Sequence, residues 1–111
     1  MRLLRIIPSL DVKLGGPQVA LIKITPYLEK KNFQTTVITL DDPNANCLKN
    51  LPFKTIGLGP VFSKYGYKRG IAKKIQEISS NQDFVIIHGI WQYHSFAAWR
   101  ALNKTNIPYF V

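Results

Sequence analysis

The sequence predicts an α/β protein built on an open, mostly parallel sheet with helices on both faces. Three observations carry this reading. Short apolar or β-branched runs alternate with amphipathic helical segments along the whole chain. One run, Phe84-Val85-Ile86-Ile87, is apolar at four consecutive positions, which marks a strand buried on both faces. The segments between runs are rich in Gly, Pro, Asp and Asn, the residues that chain reversals use.

The elements follow in order. Leu3 to Pro8 is short and apolar enough for a first strand. The loop Ser9-Leu10-Asp11-Val12-Lys13-Leu14-Gly15-Gly16 comes next, and Pro17 fits a first helical turn, where its missing N–H costs nothing. From Gln18, the positions Val19, Ala20, Leu21, Ile22, Ile24, Tyr27 and Leu28 form a broad helix face that Glu29-Lys30-Lys31-Asn32 ends. Pro26 lies inside this helix and should kink it, because it removes one hydrogen bond and crowds the carbonyl four residues back. Gln34 to Leu40, with Thr35, Thr36, Val37, Ile38 and Thr39, reads as the second strand, closed by Asp41-Asp42-Pro43-Asn44.

A third strand lies within Phe53 to Leu58, bounded by Gly57 and Gly59-Pro60. Arg69 to Ser79 sets Ile71, Ala72, Ile75 and Ile78 on one side and Lys73, Lys74, Gln76 and Glu77 on the other, a second amphipathic helix. Asp83 to His88 is the fourth strand, Tyr93 to Leu102 a third helix, and Ile107 to Val111 a fifth strand. No repeat, low-complexity tract or internal linker interrupts the series.

With 111 residues, the chain has the size of one domain. Its 46% hydrophobic and 19% charged residues describe a packed core and exclude a disordered chain. Fifteen Lys and Arg against six Asp and Glu leave a net charge of +9, so an anionic partner is expected: a phosphorylated ligand, an acidic lipid surface or nucleic acid. Cys47 stands alone, which leaves no internal disulfide and points to a reducing compartment. One cysteine and two histidines are too few for a structural zinc site, and no metal is expected. The opening MRLLRIIPSL is broken by Arg5 and Pro8 and lacks a small-residue cleavage pattern, so it does not read as a signal peptide. No apolar stretch approaches the roughly eighteen residues of a membrane span.

Ligands of open parallel sheets sit at the C-terminal ends of the strands. Three features fall there: Gly15-Gly16, Asp41-Asp42 and His88-Gly89. Gly15 and Gly16 precede a helix start, whose exposed N–H groups suit a phosphate or a sugar; the same glycines also serve a tight turn and nothing more. Neither G-x-G-x-x-G nor G-x-x-x-x-G-K-[ST] is present, so Asp41 gains little as a ribose-binding acid. His88 can donate a hydrogen bond or take a proton near neutral pH, and Trp91 offers a flat face for a sugar ring. A strand-end histidine bonded to backbone, with the tryptophan filling the core, accounts for them equally well. His94 reads as structural or superficial. Lys64-Tyr65-Gly66-Tyr67-Lys68-Arg69 reads first as a solvated face, then as an anionic membrane or ligand contact, and last as a nucleic-acid surface. Arg2, Arg5, Lys30 and Lys31 spread the charge, which argues against a dedicated nucleic-acid groove. Asp11 and Asp41 have no spacing that pairs them as acid and base, and Cys47 has no partner signature for nucleophilic catalysis.

The opening strand, Gly15-Gly16-Pro17, the helix ending Tyr27-Leu28-Glu29-Lys30-Lys31, and Thr35-Thr36-Val37-Ile38-Thr39 together resemble the amino-terminal lobe of retaining glycosyltransferases of family 4. Asp83-Phe84-Val85-Ile86-Ile87-His88-Gly89-Ile90-Trp91 resembles that family's strand-to-loop segment facing the interdomain cleft, and Trp99, Arg100 and Ile107-Pro108-Tyr109-Phe110-Val111 fit the same order. The resemblance covers essentially the whole chain.

It implies one Rossmann-like lobe of a GT-B fold, residues 1–111 being the acceptor-side lobe, truncated, with the carboxy-terminal nucleotide-sugar lobe absent. The implied activity is transfer of a sugar, with retention, from a nucleotide-sugar donor to a glycan or lipid-linked acceptor, as in polysaccharide biosynthesis. No cofactor or essential metal is implied, since the nucleotide sugar is a substrate. Gly15 and Gly16 would approach the donor diphosphate or the transferred sugar, His88 would contact the sugar or acceptor near the reaction centre, and Trp91 would shape that wall. The glutamate-rich donor motif and the Arg/Lys pair of the second lobe are absent, so the fragment alone is expected to lack turnover. The expected setting is cytoplasmic, peripheral on the inner membrane face, with the second lobe as partner and no nucleic acid. The terminal strand is expected to pair with another chain if its edge is free. Two other functions stay open: a non-enzymatic α/β module binding an anion or a partner, and a nucleotide-binding domain.

Overall fold

The structure, a computed structural model, describes residues 1–11, 13, 15–61, 68–89, 93–103 and 105–110, with Tyr93 described in its backbone only. Its elements are β1 (Arg2–Ile6), α1 (Gly16–Lys30), β2 (Gln34–Thr39), a short 3-10 turn (Asn46–Leu48), β3 (Lys54–Gly57), α2 (Ile71–Ser79), β4 (Phe84–Ile87), α3 (Tyr93–Leu102) and β5 (Tyr109–Phe110). They form one five-stranded sheet in the order β3-β2-β1-β4-β5, and every neighbouring pair runs parallel. The fold is therefore the α/β, Rossmann-like arrangement that the alternation of elements predicts.

Strand order grows outward in both directions from the β1–β4 pair, and this fixes which helices cover which face. The crossover from β1 to β2 carries α1, while those from β3 to β4 and from β4 to β5 carry α2 and α3. Right-handed crossovers in opposite directions put their helices on opposite faces. The cores agree. Leu4, Ile6, Ile38, Val85 and Ile87 pack with Ile71 and Ile75 of α2 and with Ala97, Ala98, Ala101 and Leu102 of α3. Three alanines on α3 let it sit close to its neighbours. Ile7, Leu10, Val37 and Phe53 pack with Leu21 of α1 in a second cluster. Each fully buried Leu or Ile here contributes about 1.5–3 kcal/mol relative to exposure.

Several expected boundaries shift, each for a local reason. β1 ends at Ile6, yet its pairing with β2 continues through Ile7 N–H to Ile38 O (3.0 Å) and Leu40 N–H to Pro8 O (3.0 Å). α2 starts at Ile71 and not at Arg69, because Gly70 takes φ 89° as its cap. β5 is the short pair Tyr109–Phe110; Val111 lies outside the described residues. α1 runs as one element from Gly16 to Lys30 with Pro26 inside it, and the Thr25 hydroxyl donates to Leu21 O (2.6 Å) one turn back.

One expectation is corrected. The apolar run in β4 is not buried on both faces: Val85 and Ile87 are buried, but Phe84 and Ile86 are only partly covered. α1 packs over β2, and no described helix covers β4 and β5 on that face. Phe84 there meets Phe110 edge-on at 6.4 Å between ring centroids, and Phe110 stays 59% exposed.

Candidate functional site

Because β1 and β4 are parallel neighbours, the segments that leave their C-terminal ends emerge side by side. The chain leaving β1 reaches Gly15-Gly16 and α1 on one face; the chain leaving β4 passes His88-Gly89 toward α3 on the other. Strand order reverses between these two strands, and such a switch point opens a crevice at the sheet edge. The sheet thus brings together two of the three features that the sequence places at strand ends.

Gly15 adopts φ 127°, ψ −160°, a conformation open to glycine and strained for any other residue. Among the described residues no side chain caps the first turn of α1 and no acidic residue lies in it, so its N–H groups, Pro17 having none, are available to an anion. A Cβ placed on Gly15 or Gly16 would meet nothing within 4 Å, so the approach to this backbone is open.

His88 is tied at its backbone. Its N–H donates to Ile6 O (2.8 Å), and its carbonyl accepts from His94 Nε2 in a short hydrogen bond. Its imidazole is half buried on the α1 side and held below its ordinary pKa, by burial first, then by the charge of Arg5, then by His94. The ring is neutral near pH 7, and its Nε2 is screened from solvent without a hydrogen-bond partner. The histidine that bonds to backbone is instead His94, which is fully buried and structural. Gly89 makes room for it: φ is 87°, and a Cβ there would stand 3.4 Å from His94 Cε1. Trp91 lies outside the described residues, as do 64–67 of the basic and aromatic run; Lys68 Nζ donates to Gly59 O at 3.0 Å.

Asp41, the third strand-end feature, is occupied by the chain itself. One carboxylate oxygen accepts from the Ser9 hydroxyl (2.6 Å) and the other from Leu10 N–H (2.9 Å), which fastens the loop after β1 to the end of β2. Asp11, Asp41 and Cys47 share a cavity of about 610 Å³ beside it. The Cys47 thiol is pushed up to about 11, by burial first and then by Asp41 and Asp11, and so stays protonated and poorly nucleophilic. Among the described residues, no group of three His, Cys, Asp or Glu is arranged to hold a metal ion.

A larger groove, about 670 Å³, opens between α1 and the sheet. Pro17 and His88 lie at one end of its lining, with Arg5, Lys23, Ile24 and Tyr27 along it. From the sequence, Arg5 is an interruption of an apolar run and one of several scattered charges, and Lys23 passes unnoticed. The missing signal was register: alternation from the buried Leu4 and Ile6 turns Arg5 toward α1.

A solved structure described as a glycosyltransferase from Rickettsia africae ESF-5 has a similar fold, with a TM-score of 0.72 over 98% of this chain at 22% sequence identity. The match spans 28% of that longer chain. No family model matches the chain, and a search of the curated proteins finds no match.

Proposed function

We propose that this chain is the acceptor-side lobe of a retaining glycosyltransferase of family 4 with GT-B architecture, moving a sugar from a nucleotide sugar to a glycan or lipid-linked acceptor. The observation that carries the reading is the crevice at the β1–β4 switch point, where the start of α1 and a neutral histidine line one groove on the same face of the sheet. Its fold likeness to a glycosyltransferase supports the same reading.

In this reading Gly15 and Gly16 let the donor diphosphate or the transferred sugar approach the backbone, and the first turn of α1 offsets part of the phosphate charge. His88 contacts the sugar or acceptor at the reaction centre, where a neutral imidazole can accept a hydroxyl proton or hold the hydroxyl in line. The resemblance extends this proposal to Trp91 as the residue that would shape the adjoining wall. Transfer requires a second lobe to hold the nucleotide, so the 111-residue chain alone is inactive and binds nucleotide sugars weakly. No metal or cofactor takes part. The protein works in the cytoplasm at the inner membrane face, and its basic surface meets anionic lipid.

The reading is tested by following backbone amide resonances of the chain while sugar phosphates and nucleotide sugars are added. Shifts are expected at Gly15, Gly16, His88 and Gly89. Shifts confined to the Cys47 cavity would contradict it.

A further inference from the structure

The α1 face of the sheet carries a charge that nothing in the described protein neutralises. Arg5 points to this face from the middle of β1, with β4 residues Phe84, Ile86 and His88 beside it by register. Its side chain is about half buried, its Nε is screened from solvent, and that Nε has no hydrogen-bond partner. Among the described residues, the one ion pair is Lys74–Glu77, on the other side of the sheet. The second cation lining the groove, Lys23, is exposed on α1, and no Asp or Glu lines the groove with it.

A screened guanidinium N–H without an acceptor is costly, and an oxyanion that reaches it recovers that cost. Guanidinium matches that shape well, since its planar fork meets two oxygens of a phosphate or carboxylate at once. Apart from His88, the rest of the described lining is largely apolar. Leu21 is buried beneath α1, while Ile24 and Tyr27 are 42% and 57% exposed along the groove. A volume of about 670 Å³ lies within the range of small-ligand sites. Charge and shape together select a small molecule with a charged head and an apolar body.

We propose that this groove binds an amphiphilic oxyanion, its phosphate or carboxylate head held by Arg5 and Lys23 and its apolar chain laid along Ile24 and Tyr27. The head lies next to His88, so the body runs away from the crevice, under the flank of α1. The site shares Pro17 and His88 with the crevice of the transferase reading, but its test is separate, because binding is measured without any sugar.

The test is calorimetric titration of the intact chain with octyl phosphate, octanoate, inorganic phosphate and octanol, backed by amide shift mapping. Octyl phosphate is expected to bind at least tenfold more tightly than inorganic phosphate or octanol, with shifts at Arg5, Lys23, Ile24 and Tyr27. Octanoate binding as well as octyl phosphate would assign a general oxyanion site; octanoate failing while octyl phosphate binds would assign a phosphate site. Arg5→Gln is expected to weaken binding at least tenfold. Lys23→Glu, an exposed change that leaves the fold intact, is expected to abolish it and serves if Arg5→Gln does not fold. Lys49→Gln, at the end of the 3-10 turn and outside the groove's described lining, is the unaffected control. Equal affinity for octyl phosphate and octanol, or unchanged binding in Lys23→Glu, would overturn the proposal.

Discussion

His94 is wholly buried, and its Nε2 proton is committed to the His88 carbonyl, so the other ring nitrogen is left buried without a partner. Burial holds the pKa of both imidazoles below the ordinary 6.5, with backbone hydrogen bonds opposing the shift at His94. The unfolded chain therefore takes up protons first as pH falls. Stability contributed by the neutral rings is full above about pH 6.5 and is lost as pH drops through the folded values. The urea midpoint should be lower at pH 5 than at pH 7.5, and His94→Gln should flatten part of that slope. An equal or higher midpoint at pH 5 would contradict the account. Gly15 offers a second check. Gly15→Ala must adopt φ 127° and should cost about 1–2 kcal/mol, whereas Gly16→Ala meets open space and should change stability by under about 0.5 kcal/mol. Chemical denaturation of the two variants separates them; equal losses would remove the special standing of Gly15. Both positions were legible in the sequence, as glycines before a helix start. The split between His88 and His94 was not: it depends on which ring reaches back to a carbonyl, and spacing carries no such information.

At the scale of elements, α1 both closes one core and forms a wall of the groove. Pro26 is its weak point, because no N–H is available there to bond Ile22 O. Pro26→Ala should restore that bond and raise stability by about 1 kcal/mol or more, with the unfolded chain's added freedom taking back part of the gain. A thermal melt decides it, and a lower midpoint would show that the proline is required for the packing of α1. The hydrophobic patterns of the second and third helices placed them within a residue or two, since one face of each meets the sheet. β4 was misjudged for a physical reason. Four apolar residues in a row show that a strand can be covered on both faces, but cover depends on where the crossover helices lie, and α1 lies over β2.

For the whole molecule, the open face over β4 and β5 and the free β5 edge are the surfaces with the strongest drive to associate. Phe110 is exposed there beside Phe84, and among the described residues β5 pairs on one side only. Sedimentation velocity at rising concentration should show a reversible dimer that Phe110→Lys suppresses, and a monomer at every concentration would count against pairing through this edge. Among the described residues, no helix is long and apolar enough to cross a membrane. The net charge of +9, met among the described residues by the single ion pair Lys74–Glu77, takes on a particular address in the groove of Arg5 and Lys23.

Sugar transfer by a two-lobe polypeptide that includes this chain tests the central claim most directly, with the anomeric configuration of the product read by nuclear magnetic resonance. The account predicts retention, and a fall in kcat of at least about a hundredfold in His88→Ala without loss of fold. Inversion at the anomeric carbon, or an unchanged rate in His88→Ala, would contradict it.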